Sequence, residues 1–183
     1  MKKHEFIAKI KLIIDSRENN IYDFCKECQK YGIPYEIRKL NFGDYSFYFD
    51  LVTFENRIVI ERKSGNPIEG GGFAEIKNNI CSKNHSRFSA EFERAKNCKN
   101  LAVLLENCTD LSSMDLVKQY KVDGKRSTTL STFKKAFDTF FQNRDSNRIF
   151  VGSDRIDFLF ADEKNRLSII LMYFYKKILL TNY

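Results

Sequence analysis

Between Gly43 and Lys63 two runs of strand-forming residues stand back to back, Tyr45, Phe47 and Phe49 in the first and Arg57 to Ile60 in the second. The stretch between them is short enough that the chain must return on itself as an antiparallel pair. Asp44 of GDY opens the first run, and IERK, Ile60 to Lys63, closes the second. If the register sets Asp44 opposite Glu61, the two carboxylates share a face, and Lys63 points the same way because strand side chains alternate with period two. The turn falls between Asp50 and Asn56, where no Asn-Gly or Gly-Gly pair fixes it, and a slip of one residue would scatter the three groups.

Two carboxylates and an ammonium at this spacing suit phosphodiester hydrolysis assisted by Mg2+ or Mn2+. Mg2+ takes oxygen ligands and keeps several waters, so one Asp, one Glu, a backbone carbonyl and a substrate phosphate oxygen complete a shell. Zinc would want nitrogen or sulfur. The ion acidifies a water and polarises the phosphoryl group, and Lys63 is assigned to that water rather than to the ion. The plain alternative is a surface hairpin whose charges are simply solvated. Against it stand three pieces in order: IIDSRE at Ile13 to Glu18, LNFGDYSF at Leu40 to Phe47 and IVIERKS at Ile58 to Ser64.

Together these pieces resemble the nuclease domain of the XPF-type structure-specific endonucleases, a branch of the PD-(D/E)XK superfamily. The likeness spans about residues 9–151 and includes RFSAEFERA at Arg87 to Ala95 and LAVLLEN at Leu101 to Asn107. It implies a restriction-endonuclease-like α/β fold and a substrate of branched or junction DNA. It also implies Asp44 and Glu61 as metal ligands, Asp15 as a further acid of the metal site, and Asp44, Glu61 and Lys63 as the catalytic set. Glu18, Arg17 and Arg62 would sit close by, the arginines suited to phosphate contacts or to holding the acids. One departure is visible. The family motif continues after ERK with three residues and an Asp, whereas here Ser64, Gly65 and Asn66 lead to Pro67. Glu69 or Glu75 could substitute, and the sequence does not choose between them.

The net charge of +7 points to a polyanionic partner, nucleic acid or an anionic surface. From Lys118 to Lys135 there are six basic residues and one acid, so Lys118, Lys121, Lys125 and Arg126 join Arg17, Arg62 and Arg87 as candidate DNA contacts. The same stretch also reads as an exposed loop. Gly70 to Gly72 could bend to clamp a strand, but no phosphate-loop motif exists in the chain. Five cysteines argue against a disulfide framework and for a reducing compartment, and Cys25 and Cys28 read as core residues of a helix.

The remaining pattern is alternating: a strand at Lys9 to Asp15, a helix at Ile21 to Tyr31, a strand at Tyr35 to Leu40, the hairpin, helices near Phe73 to Ile80 and Arg87 to Cys98, and a strand at Leu101 to Leu105. A helix from Leu130 to Asn143, a strand at Arg148 to Val151 and a helical segment over 154–183 complete one nuclease domain over 1–183, built on a central mixed sheet with an antiparallel hairpin flanked by helices. The run IILMYFY at Ile169 to Tyr175 is apolar nearly all round, as a buried helix or one covering a partner would be; a homodimer or a second nuclease-like chain is the partner the resemblance implies. No helix-hairpin-helix module is expected, because Gly152 is the only glycine in the last stretch. No membrane segment is expected, and the location is cytoplasmic, of microbial or mobile-element origin, or nuclear if eukaryotic. The competing function is an inactive scaffold of the same fold that binds DNA or a partner.

Overall fold

The computed structural model describes residues 1–19, 21–95, 97–117, 121–122, 126–127, 129–142 and 156–181. In chain order the elements are α1 (Lys3–Lys9), β1 (Ile10–Asp15), α2 (Ile21–Lys30), β2 (Tyr35–Arg38), β3 (Tyr45–Phe49), β4 (Val52–Thr53), β5 (Ile58–Lys63), α3 (Gly72–Cys81), α4 (His85–Arg94), β6 (Asn100–Glu106), β7 (Lys121–Val122), β8 (Arg126–Ser127), α5 (Leu130–Phe137), β9 (Ile156–Ala161) and α6 (Arg166–Leu180). The central sheet has the order β2-β1-β3-β5-β6-β9, with β4 added to β3, while β7 and β8 form a separate ribbon. β3 is antiparallel to both β1 and β5, and β1–β2, β5–β6 and β6–β9 are parallel. This is the mixed α/β sheet with an antiparallel pair that the resemblance implies.

Alternation along the strands divides the interior in two. Ile58 and Ile60 of β5, with Ala102 and Leu104 of β6, enter a core shared with α1, α2 and α6. Val59, Leu101, Val103 and Leu105 enter the other, against α3, α4 and α5. Each layer of helices thus covers the residues of one parity.

The hairpin turns at Asp50 and Leu51, both with positive φ (51° and 69°), between the paired residues Phe49 and Val52. Positive φ at both central positions is the turn that matches strand twist, here made without the usual glycine or asparagine. Phe54 to Arg57 then leave the ladder. The Phe54 carbonyl accepts from the amides of Arg57 and Ile58, its ring stacks on Phe47 at 5.0 Å, and β5 rejoins β3 at Tyr45 and Ile60.

Three expectations change. Residues 156–161 are a strand, not helix, and they pair with Leu101 to Glu106 of β6. The strand lines both layers, with Ile156 in one core and Ala161 in the other, so its apolar run carries no alternation to tell it from helix. The strand expected at Arg148 to Val151 lies outside the described residues. Lys9 ends a helix rather than beginning a strand: Phe6 anchors α1 against Phe49 (5.6 Å) and Tyr175 (5.4 Å). Finally, α5 ends at Phe137 and continues as a π turn over Asp138–Gln142. In α6 the residues Leu167, Ile170, Tyr173, Phe174 and Ile178 are buried, while Met172, Leu179 and Leu180 remain exposed. Among the described residues no helix is long and apolar enough to cross a membrane.

Candidate active site

Strands β1, β5 and β6 run in one direction, and their last residues are Asp15, Lys63 and Glu106. Beside these carboxyl ends lies a cavity of about 320 Å³ lined by Glu18, Asp44, Glu61, Lys63, Glu75 and Glu91, with Arg17, Arg87 and Arg94 at its edge. Gly43 makes the approach possible. Its φ is +74°, and a Cβ there would lie 2.2 Å from Val59 Cγ1, so only glycine lets the chain pass and deliver Asp44.

The ladder between β3 and β5 ends at Tyr45 and Ile60, so Asp44 and Glu61 are the next residues outward on their strands. The strands do not continue as a regular ladder. The Asp44 amide bonds the Ile60 carbonyl (2.9 Å), and the Arg62 amide donates to Asp44 Oδ2 (2.6 Å) instead of to backbone. Desolvation first, then the charges of Glu61 and Glu18, keeps the Asp44 carboxyl well above the usual carboxylate range. Lys63 Nζ donates to Glu61 Oε1 (2.6 Å), lies 3.4 Å from Glu75 Oε1 and sits 5.2 Å from the centre of the Phe88 ring. Burial alone would lower its pKa, but the Glu61 and Glu75 carboxylates outweigh that and hold the ammonium above its ordinary value.

The acid missing after ERK has a counterpart here. Glu75, in the first turn of α3, reaches the cavity and accepts from the Ser64 amide (2.8 Å), whereas Glu69 is exposed and away from it. The three glycines that lead into α3, Gly72 being its first residue, are packed rather than free to clamp. A Cβ on Gly71 would meet Asn107 O at 2.4 Å, and one on Gly72 would meet Lys63 O at 2.5 Å. That contact sets the start of α3 directly on the end of β5. Glu91 is a site acid that sequence reasoning missed: burial, then the charge of Glu61, raises its carboxyl. The available signal was its place on a helix three residues after Phe88 and four after Arg87, which turns it to the border of the apolar stripe.

Two expected residues are committed elsewhere. Asp15 was expected as a further metal ligand, but Oδ1 accepts from the Arg17 amide and Nε (both 2.8 Å), and Oδ2 accepts from Arg17 Nη2 (2.9 Å) and the Leu40 amide (2.6 Å). Burial works against its charge, yet these donors hold the carboxyl below its usual value. Arg62 was a candidate DNA contact. Its side chain is only 5% exposed and is ion-paired with Glu18 and Glu106, so it holds acids and does not reach a phosphate. Strand alternation is the reason, since Arg62 must face away from its neighbours Glu61 and Lys63. Arg17 and Arg87, with side chains 53% and 72% exposed, keep their guanidinium groups at the mouth. Lys118 and Lys125 lie outside the described residues, as do the side chains of Lys121 and Arg126, whose backbones pair in the β7–β8 ribbon.

The family model of the ERCC4 domain matches residues 14–153, a span that holds every acid of the cavity as well as Lys63. The chain belongs to the ERCC4 domain family. No curated protein matches it. Membership in ERCC4 gives the site its context, a family of structure-specific endonucleases with DNA as substrate and DNA repair as setting. As an ERCC4 nuclease domain, the chain places its GDY and ERK motifs on the two strands that meet at the cavity. Among the described residues no three His, Cys, Asp or Glu side chains form a preformed metal cage. Magnesium-type sites do not need one, because such ions keep waters and take one or two protein carboxylates with the substrate's own oxygens. Glu61 Oε2 accepts no hydrogen bond among the described residues and, with Asp44, fits that requirement. The five cysteines are free, and burial pushes the Cys28 thiol up to about 12, in keeping with a packed core residue.

Proposed function

We propose that the protein is a divalent-metal-dependent endonuclease that hydrolyses phosphodiester bonds in branched or junction DNA, with Mg2+ or Mn2+ held by Asp44 and Glu61. The observation that carries this is one cavity in which Asp44, Glu61 and Lys63 meet under a rim of exposed arginines. The acids are deep and mutually repelling, and the bases lie outside them. An ion relieves the repulsion while the rim attracts the phosphate backbone. When bound, the ion supplies Lewis acidity toward the scissile phosphate and toward the attacking water.

The protein's own groups supply the rest. Lys63 stays protonated because Glu61 and Glu75 stabilise its charge, so it donates hydrogen bonds to orient the water and to steady the negative charge that develops on phosphate. Glu75 fixes Lys63 and the Ser64 amide at once. Asp15 holds Arg17 at the mouth rather than offering a free oxygen. Arg17, Arg87 and Arg94 line the path of the strand. The exposed Met172, Leu179 and Leu180 on α6 support a second copy or a nuclease-like partner chain on that face.

The test uses labelled flap, fork, four-way and linear duplex DNA with Mg2+, Mn2+ or EDTA. The expected result is cleavage of the branched substrates with either metal and none in EDTA, lost in Lys63→Ala at unchanged circular dichroism. Binding without cleavage on every substrate and metal would replace the nuclease by the scaffold.

A further inference from the structure

From the inner wall of the cavity to the α6 side of the sheet, four charged side chains form one buried chain. Arg62 joins Glu18 through Nη1 and Glu106 through Nε (3.1 Å) and Nη2, and Glu106 turns its other oxygen to Arg166 Nη1 (2.9 Å). Each of the four side chains is 5% exposed or less. The near end meets the site at two points: the Arg62 amide donates to Asp44 Oδ2, and the Glu18 side chain lines the same cavity as Asp44. The far end is the first residue of α6, beyond the segment that matches the family.

Stability alone does not account for this arrangement. Buried ion networks are commonly no better than well-packed apolar side chains of equal volume. This one also leaves two polar atoms beside it, Arg166 Nε and Tyr45 OH, buried without a hydrogen-bond partner. Arg166 Cζ sits over the Phe24 ring, 4.8 Å from its centre, and Phe24 packs on Tyr45, so the guanidinium has little room to turn. What the network achieves is geometric. Glu106, gripped from both sides, fixes the plane of the Arg62 guanidinium, and that guanidinium in turn fixes Glu18, which lines the cavity with Asp44.

The geometry points to Arg166 as a positioning residue of the nuclease, acting through Glu106 and the Arg62 guanidinium to hold Glu18 beside Asp44 in the arrangement that receives the metal. This rests on the metal-dependent reading above. The helix α6 is therefore part of the active site's support rather than only a cover for the core. Groups that orient metal ligands from behind change affinity when removed even though they touch neither ion nor substrate.

Mn2+ affinity is measured by calorimetry, well below each variant's melting temperature, for the wild type, Arg166→Met, Arg166→Lys and Lys177→Met. Lys177 anchors the same helix through Asp157 (2.7 Å) but belongs to no part of the network, so its variant reports mere loosening of α6. The expected result is Mn2+ affinity weakened about 10- to 100-fold in Arg166→Met, partly restored in Arg166→Lys and unchanged in Lys177→Met, with cleavage following affinity. If Arg166→Met does not fold, Glu106→Gln takes its place with the same expectation. Affinity within twofold of wild type in the folded variants, or equal weakening in Lys177→Met, overturns the role of Arg166. Absence of Mn2+ binding by the wild type itself overturns the metal-dependent reading first, and this inference with it.

Discussion

On the cavity side of β5, Glu61 and Lys63 meet Asp44, Glu75 and Glu91, four carboxylates around one ammonium. Arg62, the residue between them, turns its side chain away and is matched with Glu18 at the cavity's inner wall and with Glu106 and Arg166 beyond it, two charges of each sign. Three consecutive residues thus serve two electrostatic regimes, because a strand delivers alternate side chains to opposite faces. The unbalanced side retains a negative surplus that a cation can satisfy, whereas on the balanced side the charges are matched within the protein. Where charges are left in excess the molecule is prepared for chemistry, and where they cancel it is prepared for rigidity.

The contrast is sharpest if one residue from each side is changed without altering shape. Glu61→Gln should lower cleavage of branched DNA by about 10²- to 10⁴-fold with melting temperature little changed, as read by single-turnover kinetics beside thermal melts. Arg62→Met should do the reverse in emphasis. Breaking a buried pair from one end costs about 3–5 kcal/mol, so urea denaturation should show a large loss of stability before any kinetic effect is considered. If Arg62→Met were as stable as wild type, the balanced side would not be the rigid one.

Smaller changes probe the borders. Glu75→Gln keeps the hydrogen bond to the Ser64 amide but removes one of the two carboxylates near Lys63, and a loss of about tenfold in turnover is expected, with binding of DNA retained. No loss at all would mean that Glu75 is not the counterpart of the missing acid. Arg87→Ala should leave turnover at saturating DNA nearly intact and reduce the slope of log affinity against log salt by about one unit, as removal of a single phosphate contact does.

The pairing of GDY with ERK was legible because strand propensity and period two act locally, and both motifs carry their own punctuation. The way the ladder ends was not legible. Nothing in the residue types says that the Asp44 side chain will take the Arg62 amide where backbone would ordinarily pair. The expectation for Arg62 came with the resemblance, which left it either to contact phosphate or to hold the acids, and the parity of its position on β5 argued for the second. β9 was missed because it is covered by both layers, which erases the alternation that marks a strand exposed on one side. Glu106 and Arg166 had no signal, since sixty positions separate them and only the sheet brings the end of β6 to the start of α6.

The outermost strand has a practical corollary. β9 and α6 follow residue 153, where the match to the family ends, yet β9 occupies the outer flank of β6 and α6 roofs the layer that contains Arg62. A shortened protein ending at that boundary would expose a long apolar strand with unpaired amides and strip Glu106 of half its counter-charge, an invitation to self-association. The unit that folds is longer than the signature by which it is known.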